Sequence, residues 1–380
     1  MNVLVTGMGA VSSVGGDARA TFAALAQGRS GLAELRGFDR SRFRARHAYE
    51  IDDRPAPGTD VPLRATGWLL RAVAEALADA GLAGDLTGVP VLVGTTLREL
   101  RSVELNWCEG APFDAARLHF GTALRERFGA DRTYTVANAC SASLYALGLG
   151  TDLLETGEAD TVVVAGVDTI TESTYGLLDR VYREAPESVR PFDRGRRGML
   201  QGDGAAAVVL RRGPGAPAGA RAYATVRGVG LNCDAYHPSA PDSGSIGRVM
   251  REAHRRAGIK PADVDLVLLH GTGTPLNDEA EARALGEVFA GVPRPPRMTA
   301  VKSMIGHTAG ASGLHSLITA VQALHSGRVP PTLGLDEPID EVAGFRLARE
   351  PVTERGMSLA QVDSFGFGGL NAVAVVEKVS

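Results

Sequence analysis

Two stretches of this sequence would be apolar on every side if they formed helices. They limit the folds that the chain can adopt. One runs from Ser141 to Leu154 and carries a single charge, Asp152. The other runs from about Gly310 to Leu324 and is rich in Ala, Ser, Gly and Leu. A helix that is apolar all round has to be buried on all its faces. We therefore expect both helices to lie in the interior, between other layers of structure.

The rest of the chain alternates between strands and helices, and the alternation has two similar halves. We predict buried strands at 3–6, 90–95, 133–136, 161–167, 205–210, 223–230, 266–269, 298–301, 362–365 and 372–377. We predict helices at 17–27, 63–80, 115–128, 246–257 and 278–289. The pattern indicates a duplicated α/β unit whose two apolar helices form a central layer. The Gly- and Pro-rich stretch 213–219 is the best boundary, which gives halves 1–214 and 215–380.

Composition excludes several classes of protein. The 380 residues carry a net charge of -4 without a basic cluster, so no nucleic-acid partner is expected. Three widely spaced cysteines, Cys108, Cys140 and Cys233, fit a reducing cytoplasm better than a disulfide framework or a zinc site. Met1 leads straight into a strand, and no apolar run is long enough to cross a bilayer. We expect a cytoplasmic protein that does not use a membrane.

The N-terminal strand is followed by Gly7-Met8-Gly9, which resembles the start of a dinucleotide-binding fingerprint. Ser12 stands where the third glycine belongs, and no strand with an acidic end follows at the expected distance. A turn around a core explains the glycines better than a nucleotide site.

Cys140 comes directly after the strand 133–136 and at the first turn of the first apolar helix. The thiolate is the reactive form, and lowering a cysteine pKa from about 8.5 to about 7 requires roughly 2 kcal/mol. A partly buried helix N-terminus supplies up to about 2 kcal/mol. We therefore expect the helix dipole to be able to activate this thiol. The alternative is a small buried cysteine of the core.

Two histidines end predicted strands or loops in the second half of the chain. His270 and His307 both have glycine neighbours, which allow a ligand to approach the backbone closely. Each is a candidate for the site or, alternatively, a structural histidine. The segment from Ser364 to Asn371 is too rich in glycine for a strand interior, and we predict a mobile loop with exposed N–H groups.

Four motifs, in order, resemble the β-ketoacyl synthases, the condensing enzymes of fatty-acid and polyketide assembly. They are NACSAS at 138–143, HGTGTP at 270–275, KSMIGHTAGASG at 302–313 and SFGFGGLN at 364–371. Supporting stretches are VTGMGAV at 5–11, RPFDRGRRG at 190–198 and LNCDAYHPSAPD at 231–242. The likeness covers nearly the whole chain and is greatest to the elongating branch, which includes type II polyketide ketosynthases.

The resemblance implies a thiolase fold in five layers, α-β-α-β-α. It implies that Cys140 is the nucleophile and that His270 and His307 are its catalytic partners. The family places a supporting lysine and acidic residues at the positions of Lys302, Glu281 and Asp278. The alternative for Lys302 and Glu281 is a solvated pair on the surface. The oxyanion hole would consist of the backbone N–H groups of Cys140 and Phe367, and a phosphopantetheine arm would pass Thr272 and Thr274.

The chemistry that the resemblance implies needs two histidines and no bound cofactor or metal. Substrates would arrive on the phosphopantetheine of an acyl carrier protein. An acyl group would pass to Cys140, and a malonyl-type thioester would then lose carbon dioxide. Two neutral imidazole N–H groups would stabilise the enolate that results. The resemblance also implies a dimer, either of this chain or with a related subunit, joined through the strand before Cys140.

The chain departs from the family pattern in three places. Leu370 stands where the family usually has threonine, Asp203 replaces a common glutamate, and the segment 97–132 is short and divergent. The acyl chain length and the dimer partner are therefore open. Two other functions on the same fold also stay open, namely an acyltransferase that forms an ester or amide without decarboxylation and a non-catalytic chain-length subunit. The presence of Cys140 argues against the second, and the presence of both histidines argues against the first.

Overall fold

The computed structural model describes residues 2–56, 58–213 and 221–379. Its strands are β1 Val3–Ser12, β2 Ala33–Glu34, β3 His47–Ala48, β4 Pro90–Gly94, β5 Arg132–Val136, β6 Thr161–Asp168, β7 Gly204–Arg212, β8 Ala224–Cys233, β9 Leu266–Leu268, β10 Arg297–Thr299, β11 Arg328–Val329, β12 Arg346–Leu347, β13 Val352–Thr353, β14 Leu359–Gly366 and β15 Leu370–Lys378. Its α-helices are α1 Ala18–Leu25, α2 Arg64–Asp79, α3 Leu100–Glu109, α4 Gly121–Phe128, α5 Ala142–Glu155, α6 Glu172–Val181, α7 Ser243–Ala257, α8 Pro275–Val288, α9 Lys302–Ile305 and α10 Ser312–Ser326.

The principal sheet contains the two halves side by side. The N-terminal half has the order β1-β7-β6-β4-β5, and the C-terminal half has the order β8-β15-β14-β9-β10-β12. In both halves the strands nearest the centre pair antiparallel and the outer strands pair parallel. The halves meet where β1 pairs with β8 over Val3–Val5. The duplication predicted from the sequence is therefore present, with eleven strands in one hydrogen-bonded sheet.

The two apolar helices form the central layer. Helix α5 contacts β4, β6 and β8, and α10 contacts β7, β9 and β14, so each touches strands of both halves. Helix α2 covers β1, β6 and β7 from one outer side, while α7 covers β8 and β15 from the other. The arrangement is α-β-α-β-α, as expected, and it places the beginnings of α5 and α10 next to each other at the centre of the molecule.

In the N-terminal half, three details of the predicted strands and helices need correction. The strand before Cys140 was expected to be buried, but β5 is the edge of the sheet and Tyr134 is 49% exposed. The divergent segment forms α3, and the helix predicted from residue 115 begins as α4 at Gly121 after a 3-10 turn over Ala115–Arg117. Helix α6 was not predicted. The proposed boundary falls largely on 214–220, outside the described residues, so the division at 214 stays a prediction.

The glycine-rich segment near the C-terminus is a tight hairpin rather than a mobile loop. Strand β14 continues to Gly366 and β15 begins at Leu370, so the turn is confined to Phe367, Gly368 and Gly369. Both turn glycines have positive φ angles, 82° and 75°. Strand pairing on either side defines the position of the turn, which explains how a segment rich in glycine is ordered.

No helix within the described residues is long and apolar enough to cross a membrane.

Candidate active site

Cys140 lies in a 3-10 turn, Ala139–Ser141, that joins β5 to α5. Ala139 has a φ angle of 49°, which turns the chain sharply before the helix. Ser364 in β14 donates a hydrogen bond of 2.9 Å to the carbonyl oxygen of Cys140. Hydrogen bonding from the backbone N–H groups of Cys140 and Phe367 favours the Cys140 thiolate. The two predicted oxyanion donors therefore lie next to the thiol. One comes from the N-terminal half of the chain and the other from the C-terminal half.

The electrostatic expectation for Cys140 was wrong. Although the residue is half-buried, the protein packed around its thiol raises the pKa to about 11, and the charge of Asp168 acts in the same direction. The Lys302 ammonium and the two backbone N–H groups lower the pKa, but by less than burial raises it. Desolvation penalises the thiolate more than its favourable contacts stabilise it. The thiol is thus protonated in the resting protein at neutral pH.

A cavity of about 840 Å³ contains the sulfur of Cys140 in its wall. His270, His307 and Phe365 line the same cavity close to the cysteine. At its mouth are exposed apolar and basic side chains, among them Leu177, Val181, Leu276, Arg183, Arg194 and Arg197. The cavity is open to solvent at that end, which suits a long substrate arm reaching a buried thiol.

The hydrogen bonds of His307 determine which of its ring nitrogens carries the proton. His307 follows α9 and Gly306, whose φ angle is 68°. Its Nδ1 accepts a hydrogen bond from the Ala309 N–H at 3.1 Å and lies 3.2 Å from the Ser312 hydroxyl oxygen, whose hydrogen is donated to the Ala309 carbonyl oxygen. The Nε2 is buried and has no hydrogen-bond partner within the described residues. Because burial and the Lys302 charge keep the pKa of His307 well below its usual value, the ring is neutral and carries its hydrogen on Nε2.

His270 has the same protonation pattern, which Lys302 imposes. The Lys302 ammonium lies 2.6 Å from the carbonyl oxygen of His270 and 3.3 Å from its Nδ1. An ammonium only donates hydrogen bonds, so Nδ1 is the acceptor and Nε2 carries the hydrogen. Burial, Lys302 and His307 hold the pKa of His270 well below its usual value. The two imidazole rings are 5.5 Å apart between centroids and almost perpendicular, at 82°.

Lys302, Glu281 and Asp278 are all buried, which excludes the alternative of a solvated surface pair. Glu281 accepts hydrogen bonds from the N–H groups of His270 at 2.7 Å and Gly271 at 2.8 Å, so it holds the backbone of the histidine rather than the ammonium itself. Burial lowers the pKa of Lys302 and raises that of Glu281. The sequence analysis predicts that Glu281 supports Lys302. In the structure Glu281 holds the backbone of His270, and Lys302 bonds to the same histidine, so the support is indirect.

Asp278 holds the loop that carries Thr272. Its carboxylate accepts hydrogen bonds from the N–H groups of Phe192 at 2.8 Å, Thr272 at 3.2 Å and Gly273 at 3.3 Å. Thr272 and Thr274 both line the cavity, and their hydroxyl oxygens are 2.9 Å apart. The structure therefore brings every candidate site residue of the sequence analysis to one cavity or to the residues directly behind it.

The sequence analysis missed Asp168, which connects the two halves behind the cysteine. This buried residue ends β6 and accepts hydrogen bonds from the N–H groups of Thr96, Leu97 and Gly310 at 2.7–2.8 Å. Burial raises its pKa to about 6. A charged residue at the end of the otherwise apolar strand 161–168 was the available signal, because parallel strands place their carboxyl ends at one edge of a sheet.

Family models match both halves of the chain. The N-terminal domain of the β-ketoacyl synthases matches residues 1–216, and the C-terminal domain matches residues 223–336. The 3-oxoacyl-(acyl-carrier-protein) synthase 2 of Vibrio harveyi is 30% identical, with 100% of this chain and 99% of the relative covered.

Solved structures agree with this assignment. A chain described as the ishigamide ketosynthase/chain length factor is 33% identical with a TM-score of 0.89, covering 100% of this chain and 99% of the other. A β-ketoacyl synthase from Burkholderia phymatum STM815 is 26% identical with a TM-score of 0.86, covering 100% of both chains. These ketosynthases have the thiolase fold, so the predicted fold is confirmed. With one family model covering more than half of its length, this chain belongs to the β-ketoacyl synthase family.

Proposed function

We propose that the protein catalyses a decarboxylative Claisen condensation between an acyl thioester and a malonyl-type thioester, in fatty-acid or polyketide biosynthesis. One observation carries the proposal. Two neutral imidazoles, His270 and His307, are each held with the hydrogen on Nε2 by a donor at Nδ1 and line the cavity that holds the Cys140 thiol. An acyl transfer alone requires one activated nucleophile, whereas two additional N–H donors suit a second negative charge that develops elsewhere in the cavity.

In the first half-reaction the sulfur of Cys140 attacks the thioester carbonyl of the acyl carrier. The N–H groups of Cys140 and Phe367 donate to the oxyanion of the tetrahedral intermediate. The carrier thiol then leaves with the proton of the cysteine, so the acyl group changes thioester without a net change of charge. Because burial raises the pKa of Cys140 to about 11, proton loss accompanies the attack rather than preceding it.

In the second half-reaction the malonyl-type thioester loses carbon dioxide, and the electron pair of the broken bond forms an enolate. The Nε2 hydrogens of His270 and His307 stabilise the enolate oxygen. The enolate carbon attacks the acyl carbon on Cys140, the bond between the acyl carbon and the sulfur breaks, and the sulfur takes up a proton from solvent water. A neutral imidazole suits this role because it donates a hydrogen bond without supplying a proton that would quench the carbanion.

We propose an acyl carrier protein as the partner at the mouth of the cavity, with its phosphopantetheine passing Thr272 and Thr274. Arg194 and Arg197 at the mouth are paired with Asp340 and Glu184, and the exposed Arg183 beside them adds a positive charge that suits a phosphate-bearing arm. The names of the relatives support this choice, since one is a 3-oxoacyl-(acyl-carrier-protein) synthase. Because another is a ketosynthase/chain length factor, we propose that the chain forms a dimer, with itself or with a related subunit.

The test is to incubate the protein with acyl and malonyl carrier proteins and to weigh both the protein and the products. We expect an acyl adduct on the peptide that contains Cys140, and a β-ketoacyl carrier protein once malonyl carrier protein is added. The Cys140→Ser variant is the control for the adduct. An adduct on the exposed Cys108 or Cys233 with Cys140 unmodified would contradict the proposal. An acyl ester or amide formed without consumption of malonate would identify the alternative acyltransferase.

A further inference from the structure

One buried carboxylate, that of Asp168, accepts four hydrogen bonds directly behind the site. Its Oδ1 accepts from the Thr95 hydroxyl at 2.8 Å and from the Leu97 N–H at 2.7 Å. Its Oδ2 accepts from the N–H groups of Thr96 at 2.8 Å and Gly310 at 2.7 Å. Asp168 is 1% exposed, so water does not compete for these bonds. The carboxylate thus joins the loop after β4 to the 3-10 turn that precedes α10.

The same turn fixes the ring of His307. Ala309, the residue before Gly310, donates its N–H to the His307 Nδ1 at 3.1 Å. The Ser312 hydroxyl oxygen lies 3.2 Å from that nitrogen, but its hydrogen is donated to the Ala309 carbonyl oxygen. The Ala309 N–H is therefore the donor that leaves the hydrogen of the neutral ring on Nε2. Whatever holds Ala309 in place also determines which ring nitrogen is a donor.

Ala309 is held in an unfavourable backbone conformation. Its φ angle is 45°, in the left-handed region, which is strained for a residue with a Cβ atom. Such a conformation persists where the surrounding structure fixes it on both sides. On one side the Ala309 N–H is bonded to His307, and on the other the Gly310 N–H is bonded to Asp168. A return of Ala309 to an ordinary φ angle would change the angle between these two N–H groups, so both bonds could not survive it.

The turn lies directly against the loop that shares the carboxylate. A Cβ atom at Gly310 would be 2.6 Å from the Thr95 Cα and 2.9 Å from the Asp168 Oδ2, so only glycine allows this approach. Loss of the carboxylate would leave the Gly310 N–H buried without its partner, which is unfavourable. A turn that moves to satisfy this N–H takes Ala309 with it.

We propose that Asp168 is a positioning residue for decarboxylation: by holding the Gly310 N–H it fixes the strained Ala309, which keeps the hydrogen of His307 on Nε2. The inference rests on the proposed function, because the Nε2 hydrogen of His307 is one of the two enolate donors there. Asp168 does not line the cavity, so it acts through the histidine rather than on the substrate.

Acylation of Cys140 depends on other contacts. Ser364 bonds to the carbonyl oxygen of Cys140, and the β14–β15 hairpin carries the Phe367 N–H. Neither contact involves Asp168 or Gly310. The charge of Asp168 raises the pKa of the thiol, so its removal does not oppose acylation. Replacement of Asp168 by alanine should therefore slow the loss of carbon dioxide and spare the acyl transfer.

The first experiment observes the His307 ring and needs no catalytic activity. ¹⁵N spectra of protein labelled in its histidines separate protonated from unprotonated ring nitrogens, and His307→Ala identifies the His307 signals. We expect an unprotonated Nδ1 in the wild type, whereas in Asp168→Ala a share of the molecules should carry the hydrogen on Nδ1. Formate should restore the wild-type signals, because its carboxylate can occupy the space that the aspartate side chain leaves. Unchanged His307 signals in a folded Asp168→Ala would overturn the proposal.

Asp193→Ala is the matched control. Asp193 is 1% exposed, and its carboxylate accepts hydrogen bonds at 2.7–2.8 Å from three backbone N–H groups, those of Gly195, Asp336 and Glu337. None of these residues belongs to the turn beside His307, so the His307 signals should stay as in the wild type. If Asp193→Ala changes them as Asp168→Ala does, the effect is a general loss of structure and the proposal is wrong.

The second experiment compares the two half-reactions in folded Asp168→Ala. Carbon dioxide release from malonyl carrier protein should be at least about tenfold slower, with roughly 10²-fold as the loss for one whole donor. Acylation of Cys140 should stay within about threefold of the wild type, and formate should recover most of the carbon dioxide release. Equal losses in both half-reactions would show a purely structural role and overturn the proposal. If the ring signals change as expected but the wild type releases no carbon dioxide, the proposed function fails and the positioning of His307 by Asp168 stands.

A measurement on the wild type decides the question if Asp168→Ala does not fold. The amide hydrogens of Ala309 and Gly310 should exchange with deuterium as slowly as those within α10, because both are bonded to buried acceptors. Rapid exchange at Gly310 would show that its bond to Asp168 is not maintained in solution, which would contradict the proposal.

Discussion

At the scale of single residues, burial raises the pKa of the acidic thiol in the site and lowers the pKa values of the basic imidazoles. It raises the pKa of Cys140 and lowers the pKa values of His270 and His307, so all three groups are neutral at rest. The position of Cys140 at a helix start led to the opposite expectation for the thiol. The helix dipole can be read from the sequence, but desolvation depends on what packs around the sulfur, which only the tertiary structure shows.

His315 offers a direct test of this burial effect, away from the reacting atoms. It lies in α10, is 2% exposed, and burial together with the Lys302 charge lowers its pKa to about 4. An unfolded histidine takes up a proton near pH 6.5, whereas the folded one stays neutral. The stability that this neutral ring contributes is therefore complete above pH 6.5 and is lost as the pH falls toward 4.

We predict that His315→Gln removes this sensitivity to acid. Between pH 7.5 and pH 5, the free energy of unfolding of the wild type should fall by about 2 kcal/mol more than that of the variant. Urea denaturation of both proteins at the two pH values measures the difference, and the comparison at pH 7.5 removes any packing effect of the substitution. A difference that does not change with pH would show that the folded His315 titrates normally.

At the scale of elements, the β14–β15 hairpin carries the Phe367 N–H, the proposed second oxyanion donor, and Gly369 makes its turn possible. A Cβ atom at Gly369 would lie 1.7 Å from the Asp234 Oδ1, whereas one at Gly368 would meet nothing within 4 Å. The φ angles of the two glycines are similar, at 75° and 82°. Gly368→Ala is therefore a matched control, which carries the same left-handed strain of about 1–2 kcal/mol without the clash.

We predict that Gly369→Ala slows acylation of Cys140 by roughly 10²-fold, the typical loss when one oxyanion donor is displaced. Gly368→Ala should retain most of the rate, because its turn can keep its shape. Rapid-quench measurement of acyl transfer from a carrier thioester compares the two variants at equal folded concentration. Equal rates for the two variants would mean that the position of the Phe367 N–H does not limit acyl transfer.

Strand β5 leaves one edge of the principal sheet open for pairing with a partner. It is the last strand of the sheet in the N-terminal half, and it presents Tyr134 to solvent. An exposed edge of this kind invites pairing with another chain. Two copies of β5 related by a two-fold axis would place the two Tyr134 side chains near each other.

We predict that the protein is a dimer through β5 and that Tyr134→Asp dissociates it, because two carboxylates would then face each other across the axis. Tyr134→Phe should stay dimeric, since it retains the ring. Analytical ultracentrifugation at micromolar concentration measures the masses. A wild-type chain that is an active monomer would refute the dimer, and a dimer that survives Tyr134→Asp would place the interface elsewhere.

At the scale of the whole molecule, local pattern was enough to predict the duplication and to single out Cys140, His270 and His307, whereas the other site residues came from the resemblance to the β-ketoacyl synthases. The two apolar helices required a central layer, and the motifs around Cys140, His270 and His307 occur at the ends of strands and the starts of helices that this layer brings together. The pairing of β1 with β8 was not predicted, because no local sequence pattern indicates which distant strands pair. Asp168 was missed for the same reason, since Gly310, which donates a hydrogen bond to it, is far away in sequence.

The central claim is that Cys140 and the two histidines serve different half-reactions. Cys140→Gln should still release carbon dioxide from malonyl carrier protein, because decarboxylation needs stabilised enolate charge and the amide can occupy the place of the acyl thioester. His307→Ala should still accept an acyl group, but it lacks one enolate donor. Its release of carbon dioxide should be slower by about 10²–10³-fold.

The most direct measurement is therefore carbon dioxide release by the wild type, Cys140→Gln and His307→Ala, after circular dichroism and thermal melting show that each is folded. The folding control is needed because His307 borders the buried helix α10. We predict release by Cys140→Gln and a rate about 10²–10³-fold lower for His307→Ala. If His307→Ala decarboxylates malonyl carrier protein at the wild-type rate, the condensing mechanism is wrong, and an acyltransferase that spares malonate becomes the better account.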